Sequence, residues 1–287
     1  MPGACCRPSA STPDRSRPLK LCRFDSDRVG VVEGNRVRDV TPALEFLPAC
    51  RWPPPPGDWL IANLGLLRPH IERALRRATT VALDRVRLQS PVANPGKIVA
   101  VRSNYAGAGS AVDGAAELFL KAASSCAGAG DGIELRLPGR RVDHEIELVA
   151  VIGTRLQHAG AEEALAAVAG YCIGIDVTLR GEEDRGLRKS LDGHTVLGPW
   201  LTTAEEATGV ADAAIELVVN GELRQCGRTS SMAHGVAALI AAASRYLTLH
   251  PGDVVMTGTP PGAGPLAPGD RLYCSIEGLG AMNVAVR

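Results

Sequence analysis

The stretch at residues 141–153, RVDHEIELVAVIG, constrains the fold of this chain more than any other part of the sequence. Its polar and apolar residues alternate at the start, which predicts a β-strand. Side chains two positions apart on a strand leave the same face, so the carboxylates of Glu145 and Glu147 should lie side by side. Neighbouring carboxylates repel each other, and a divalent cation is the simplest partner that would offset the repulsion.

A third acid supports a metal site. Asp176 lies in a second apolar run, residues 171–177, that also predicts a strand. Three acids without cysteine or a histidine run among the ligands favour Mg²⁺, Mn²⁺ or Ca²⁺ over Zn²⁺. The alternative is structural, because a Glu-x-Glu pair on a strand is usually the solvated face of a sheet. His144 beside the pair is likewise more often a hydrogen-bonded or surface histidine than a ligand.

The composition excludes several classes of function. The 287 residues include 31 basic and 31 acidic ones, so no net charge favours nucleic acid or a membrane surface as a partner. Aromatic residues make up 3% of the chain, too few for a base-stacking platform. No apolar run reaches the roughly 18 residues that span a bilayer. The eight cysteines form no Cys-x-x-Cys pair and follow no secretory signal, which predicts reduced thiols in a cytoplasmic protein.

The sequence predicts three consecutive stretches. Residues 1–18 are rich in Pro, Ser and Arg and predict a disordered tail. Residues 19–90 contain short alternating runs around a tight turn and predict a small N-terminal α/β domain. After a proline-punctuated linker, residues 97–287 are predicted to form the catalytic domain. The longer segments predicted to be helical are 69–80, 161–169 and 232–247.

Nine stretches together resemble the fumarylacetoacetate hydrolase superfamily, which includes acylpyruvate hydrolases and 2-hydroxyhepta-2,4-diene-1,7-dioate isomerases. In chain order they are VGVVEGNRVRDVTPAL, KIVAVRSNY, LFLKAASS, VDHEIELVAVIG, AGYCIGIDVTLR, RKSLDGHTVLGPWL, VNGELRQ, LTLHPGDVVMTGTPPGAG and GDRLYCSIEGLGAM. The resemblance covers nearly the whole chain from residue 19 onwards. It implies an α+β, strand-rich fold, a mixed β-sheet roll or pseudo-barrel behind the small N-terminal domain, and a homodimer.

The same resemblance implies a metal site and its ion. Glu145, Glu147 and Asp176 stand where the family binds a divalent metal, which would be Mg²⁺ or Mn²⁺. The metal would be chelated by the 2-oxo-carboxylate end of a small-molecule substrate. The residues themselves agree with this reading, because three acids together offset the charge of one divalent cation.

Motif positions also imply residues that contact the substrate. Arg180 and Lys189 would meet the anionic 2-oxo-carboxylate end, and Thr259 in TGTP would hold a carboxylate oxygen. Lys121, which follows the apolar run LFL, is a further substrate-binding candidate. Lys189 is also the catalytic candidate for proton transfer, because a nearby metal and a second cation would lower its pKa. A plain carboxylate clamp is the alternative role for Lys189.

One departure from the family pattern bears on the reaction. Many members carry N-Y-x-x-H-x-x-E, whose histidine and glutamate activate water. Here Asn104 and Tyr105 are followed by Ala108 and Ala111, which cannot move a proton. C–C bond hydrolysis, decarboxylation and keto–enol isomerisation of a 2-oxo acid therefore all stay open, and the last two fit the missing pair better.

Other hypotheses follow from the same departure. His144, His194 and His234 are candidates to replace the missing base. A catalytically silent homologue would keep the metal and bind a 2-oxo acid without reaction. A purely structural subunit would bind no metal, which the three retained acids disfavour.

Overall fold

A computed structural model of the chain describes residues 19–107 and 114–287. The predicted tail at 1–18 and the alanines Ala108 and Ala111 lie outside the described residues. The strands are β1 (Lys20–Phe24), β2 (Arg28–Glu33), β3 (Arg36–Asp39), β4 (Thr80–Ala82), β5 (Leu88–Gln89), β6 (Ile98–Arg102), β7 (Glu117–Lys121), β8 (Cys126–Gly128), β9 (Val142–His144), β10 (Ile146–Ile152), β11 (Val168–Asp176), β12 (Thr178–Leu179), β13 (Thr195–Thr203), β14 (Ala214–Val219), β15 (Glu222–Arg228), β16 (Val254–Met256), β17 (Gly264–Pro265), β18 (Arg271–Ile276) and β19 (Gly280–Ala285).

Short helices connect these strands. The α-helices are α1 (Trp59–Ala62), α2 (Leu64–Leu75), α3 (Ala161–Ala166), α4 (Arg185–Arg188) and α5 (Val236–Ser244). The 3₁₀-helices are Thr41–Phe46, Leu83–Arg85, Ala123–Ser125, Ala129–Asp131, Val210–Asp212 and Thr229–Ser231. No helix in the described part of the chain has both the length and the apolar character to cross a bilayer.

The strands of the described residues form three sheets, which confirms the strand-rich α+β prediction. The largest sheet has twelve strands in the order β4-β3-β2-β1-β13-β11-β10-β16-β6-β7, with β5 beside β1 and β8 beside β13. The two smaller sheets have the orders β12-β9-β17 and β15-β14-β18-β19. The central neighbours β10, β11 and β13 are antiparallel, whereas β6–β16 and β8–β13 are parallel.

The stretch at 141–153 is divided between two sheets, where the sequence predicted one strand. β9 belongs to the small sheet and β10 to the large one, and Glu145 lies at the break between them. The backbone carbonyl of Glu145 accepts a hydrogen bond from the Asp176 N–H at 2.8 Å. The Ile146 N–H donates to the side chain of Gln225 at 3.1 Å instead of to a strand. The change of sheet brings Glu145 towards Asp176.

The strands of residues 19–90 continue into the large sheet. β1 pairs with β13, so that Lys20 lies opposite Thr202 and Leu21 opposite Leu201. The division into domains at 19–90 and 97–287 stays a prediction, but sheet and core run through both stretches. The core on this side combines α2 with β10, β11, β13 and β16, through Leu64, Leu67, Ile71, Leu75, Val149, Val151, Cys172, Leu197, Leu201, Val254 and Met256.

The observed helix α2 differs from the predicted helix at 69–80. It begins at Leu64, ends at Leu75 and contains Pro69 in its interior. Its buried side chains are spaced by three or four residues, so they form one apolar stripe against the sheet. Burial of this stripe outweighs the helix-breaking tendency of the proline, which the prediction had placed at the first helical position.

Candidate metal and substrate site

Three carboxylates converge at a cavity of about 440 Å³. Carboxylate oxygens of Glu145, Glu147 and Asp176 lie within 4.8 Å of one another. Glu147 projects from β10 and Asp176 from the end of its neighbour β11, and both side chains are almost fully buried. The sequence alternation that placed two acids on one face therefore gives a cluster of three, because β11 brings the third acid alongside.

Two lysines hold Asp176. Lys189 Nζ donates to Asp176 Oδ2 at 2.5 Å, to Glu145 Oε2 at 2.9 Å and to Thr178 Oγ1 at 2.7 Å. Lys121 Nζ donates to Asp176 Oδ1 at 2.6 Å. Burial would raise the pKa of Asp176, but the charges and hydrogen bonds of the two lysines outweigh it and lower the pKa. Asp176 is therefore ionised at neutral pH.

Glu147 has much weaker support. Its Oε2 accepts a hydrogen bond from the Gly258 N–H at 2.7 Å, and it forms no ion pair within the described residues. Burial, and then the charge of Asp176, raise the pKa of Glu147 well above its ordinary value. A divalent cation among the carboxylates would remove this repulsion, and an all-oxygen donor set suits Mg²⁺ or Mn²⁺. The residues present thus fit the metal that the sequence implies.

Arg180 lines the cavity, and the buried carboxylate of Asp143 holds its guanidinium in place. Its Nε donates to Asp143 Oδ2 at 2.7 Å, and its Nη2 donates to Glu145 Oε1 at 3.0 Å. Arg141 Nε also donates to Asp143 Oδ1 at 2.7 Å. Burial would raise the pKa of Asp143, but the two arginines outweigh it and lower the pKa. The Arg180 guanidinium is therefore held in a fixed direction beside the carboxylate cluster.

Thr259 lies in the loop between β16 and β17 and lines the cavity. Its hydroxyl accepts a hydrogen bond from Gln225 Nε2 at 2.8 Å. The amide oxygen of Gln225 lies 2.9 Å from His144 Nδ1 and accepts from the Ile146 N–H. Gln225 thus joins the loop of Thr259 to the start of β10, which carries Glu147.

The structure brings most of the predicted residues to one cavity. Glu145, Glu147, Arg180, Lys189 and Thr259 all line it. Asp176 lies among the same carboxylates through its contact with Lys189. The metal-ligand and substrate-binding roles of these residues stay predictions, and their convergence is what those roles require.

Lys121 and Lys189 differ from expectation. Lys121 is not among the residues that line the cavity, and its buried Nζ is bonded to Asp176 and to the carbonyl of His194. Its position fits support of Asp176 better than contact with substrate. The lowered pKa expected for Lys189 is not found: burial lowers it, but Asp176 and Glu145 outweigh burial and raise it.

None of the three candidate replacement histidines is among the residues that line the cavity. His144 is buried and bonded to Gln225. Burial, and then the charge of Lys121, lower the pKa of His194 to about 4. The backbone N–H of His234 donates to Asn104 Oδ1 at 2.8 Å. In the described structure His144 contacts Gln225 through its ring, whereas His194 and His234 contact Lys121 and Asn104 through backbone groups.

Sequence reasoning missed several residues of this site. Asp143 was visible in the stretch VDHEIE, and Gln225 in VNGELRQ, but nothing local shows that they bond to Arg180 and Thr259. Arg185 and Arg188 follow the charged run GEED, which is typical of a solvated loop, yet both line the cavity.

Comparison with known proteins decides the family. Residues 97–287 match the family described as fumarylacetoacetate (FAA) hydrolase, C-terminal. The chain belongs to the fumarylacetoacetate hydrolase family. It is 47% identical over 285 residues to a maleylpyruvate hydrolase of Aquipseudomonas alcaligenes, a match that covers 94% of this chain and 99% of the relative. The chain is accordingly a metal-dependent enzyme of this family.

Solved structures agree with this assignment. The maleylpyruvate hydrolase of Sphingobium sp. SYK-6, in complex with manganese(II) and pyruvate, superposes with a TM-score of 0.82 at 37% identity, over 93% of this chain and 98% of that one. A probable 2-hydroxyhepta-2,4-diene-1,7-dioate isomerase of Mycobacterium abscessus gives 0.76 at 29% identity, over 94% and 98% of the two chains. The predicted family fold, with its mixed sheet roll, is therefore confirmed.

Proposed function

We propose that this enzyme is a divalent metal-dependent acylpyruvate hydrolase, with maleylpyruvate as its first candidate substrate. The reaction adds water to the 4-oxo carbon of a 2,4-dioxo acid, breaks the bond between carbons 3 and 4, and gives pyruvate and a second carboxylic acid. The observation that carries the proposal is the convergence of Glu145, Glu147 and Asp176 beside Arg180 and Lys189 at one cavity. The full-length similarity to a maleylpyruvate hydrolase supports the same substrate class.

Glu145, Glu147 and Asp176 would hold the metal, and Mg²⁺ or Mn²⁺ would serve. When bound, it would polarise the 2-oxo group of the substrate and stabilise negative charge on that oxygen. Arg180 presents a fixed guanidinium to the substrate carboxylate, which two parallel N–H donors can bind. These contacts orient the acid and leave its acyl portion in the outer part of the cavity.

Lys189 suits the role of a proton donor. Its neighbouring carboxylates raise its pKa, so Nζ carries a proton at neutral pH. Cleavage leaves an electron pair on carbon 3 of the pyruvate half, and a protonated amine at the inner end of the cavity can deliver the proton that this carbon needs. The sequence had predicted a lowered pKa, which would have made Lys189 a proton acceptor. The raised pKa makes it a proton donor instead.

The test is turnover of maleylpyruvate, fumarylpyruvate and acetylpyruvate with Mg²⁺, with Mn²⁺ and with EDTA. We expect metal-dependent formation of one pyruvate per substrate consumed, and loss of it in Glu147→Gln. The matched control is Glu216→Gln, which removes an exposed acid on β14. Metal and oxalate binding without turnover would favour the silent binding homologue, and absence of metal binding would favour a structural subunit.

Isomerisation is the second candidate function. It is favoured by the absence of a titratable group at Ala108 and Ala111 and of a histidine among the described residues that line the cavity. Keto–enol conversion needs proton transfer but no activated water, so it requires no water-activating base, and Lys189 could supply the proton that carbon 3 receives. The same incubations distinguish the cases, because isomerisation changes the enol absorbance without releasing pyruvate, and decarboxylation of oxaloacetate releases CO₂.

The homodimer and the cytoplasmic location stay predictions.

A further inference from the structure

Two arginines of the cavity form no ion pair with an acid in the described part of the chain. Arg185 and Arg188 form the ends of α4, and both line the cavity. They are three positions apart, so they lie on the same side of the helix. The carboxylate of Asp184 fixes this turn by accepting hydrogen bonds from the N–H groups of Gly186 at 2.8 Å and Leu187 at 3.4 Å. Neither guanidinium forms a hydrogen bond or an ion pair with a described residue, and that of Arg185 lies over the ring of Phe119.

The other cations of the cavity are already bonded to acids. Arg180 and Lys189 contact the carboxylate cluster, and Arg102 pairs with Glu117 at 3.0 Å. The part of the cavity around α4 therefore contains two guanidinium groups that no described acid contacts directly. Burial, and then the charges of Arg102 and Arg188, lower the pKa of Arg185. A bound anion would relieve this repulsion.

Arg185 lies close to Lys189, which contacts the carboxylate cluster. The ring centroid of Phe119, on β7, lies 5.6 Å from Arg185 Cζ and 5.6 Å from Lys189 Nζ. The two cations are thus no more than twice that distance apart, with an apolar ring beside both. Solvated surface arginines need no partner, but these two face a concave space that also contains the candidate metal site. The arrangement suits a short acid with a carboxylate at each end.

We propose that Arg185 and Arg188 bind the distal carboxylate of a dicarboxylic acylpyruvate and so select dianionic over monoanionic substrates. The inference rests on the proposed function, because that function places the first carboxylate at Arg180. Maleylpyruvate and fumarylpyruvate carry the distal carboxylate, whereas acetylpyruvate ends in a methyl group. A charge-assisted contact to a partly buried arginine strengthens binding by about tenfold or more.

The experiment compares kcat/KM for fumarylpyruvate and acetylpyruvate in the manganese-loaded wild type, in Arg185→Gln, in Arg188→Gln and in the double variant. Arg77→Gln is the matched control, because it removes an exposed arginine outside this cavity. We expect the double variant to lose at least about tenfold for fumarylpyruvate and less than about threefold for acetylpyruvate. The control should preserve the ratio of the two values.

A second readout does not depend on turnover. Calorimetry on the manganese-loaded protein compares 2-oxoglutarate, which has two carboxylates, with pyruvate, which has one. We expect the wild type to prefer 2-oxoglutarate and the double variant to lose that preference. Equal binding of the two acids by the wild type, or an equal loss for both substrates in the variants, would overturn the inference and leave the proposed hydrolase intact. No turnover of any acylpyruvate, with the binding preference present, would instead overturn the hydrolase and keep the arginine assignment.

Discussion

Glu147 and Asp176 lie on neighbouring strands and belong to the same carboxylate cluster, but their pKa values are shifted in opposite directions. Asp176 receives two lysines, so its pKa is lowered, whereas Glu147 receives one backbone N–H and its pKa is raised. The difference lies in which carboxylate the cations of the chain can reach. Among single residues, Glu147 is therefore where a bound metal would relieve most repulsion, and where its removal should matter most.

Glu147→Gln should raise the melting temperature of the metal-free protein at neutral pH by a few degrees. A folded-state pKa above the unfolded value means that Glu147 contributes stability at acidic pH and loses it as the pH rises through the folded pKa. Glutamine keeps the shape and the contact with Gly258 without the charge. The same variant should lose the stabilisation that Mn²⁺ gives the wild type. Thermal unfolding with and without Mn²⁺ measures both effects.

Glu216→Gln is the control for this pair of measurements, because Glu216 is exposed on β14. It should leave both the metal-free melting temperature and the response to Mn²⁺ unchanged. A Glu147→Gln protein that is less stable than the wild type without metal, or that still responds fully to Mn²⁺, would show that Glu147 is not a strained ligand.

His194 should make stability fall at mildly acidic pH. Burial, and then Lys121, lower its pKa from 6.5 to about 4. Between pH 6.5 and pH 4 the unfolded chain binds a proton at His194 and the folded chain does not. The contribution of His194 to the free energy of unfolding is therefore complete above the unfolded pKa and decreases as the pH falls towards 4. The decrease amounts to about 3 kcal/mol. Urea unfolding of His194→Asn, from pH 7 to pH 4.5, should show a shallower slope than the wild type.

Asp143 and Asp176 also lose stability on acidification, but they are present in both proteins, so the difference between the two pH profiles isolates the histidine. His158→Asn, at an exposed position, should reproduce the wild-type profile. Identical slopes for wild type and His194→Asn would show that His194 does not cause the loss of stability at acidic pH.

At the scale of elements, the site depends on where strands stop and loops begin. The sequence alternation correctly placed Glu145 and Glu147 on one side, but the break between β9 and β10 is set by Gln225, a residue about 80 positions away in the chain. Likewise α2 begins before Pro69, because its apolar side chains pack against the large sheet from Leu64 onwards. Local patterns predict which residues can face each other, and only the distant partners decide where an element ends.

The loop between β16 and β17 should tolerate no side chain at Gly262. Its φ is +103°, and a Cβ there would lie 2.1 Å from the backbone carbonyl oxygen of Arg224. Gly262→Ala should cost about 2–4 kcal/mol of folding free energy. It should also push Thr259 away from Gln225, so the KM for an acylpyruvate should rise. Thermal unfolding and steady-state kinetics measure the two effects.

Gly209→Ala is the matched control, since a Cβ at Gly209 has no atom within 4 Å and its φ lies outside the left-handed region. It should leave both stability and KM near the wild-type values. A Gly262→Ala protein with unchanged KM would show that the position of Thr259 does not depend on the close approach of this loop to β15.

At the scale of the whole molecule, the family, the strand-rich class and the three acids could all be predicted from the sequence, because each depends on local pattern or motif. The joining of residues 19–90 to the rest could not, since the paired residues of β1 and β13 are 180 or more positions apart in the chain. Nor could the unpaired state of Arg185 and Arg188, which depends on where every other acid lies. These are properties of pairing across the chain, and no segment carries them alone.

A chain truncated to residues 91–287 should therefore fail to fold cooperatively, although it contains the whole family match. Removal of β1 and α2 exposes an apolar sheet face that includes Leu197, Leu201 and Val254 in the intact core. We expect the truncated chain to bind a hydrophobic dye and to melt without a sharp transition, while the full chain unfolds in one step. The matched comparison removes only residues 1–18, and that protein should melt like the full chain. Two separate transitions in the full chain, or a truncated chain that melts cooperatively and binds Mn²⁺, would instead establish two independent domains.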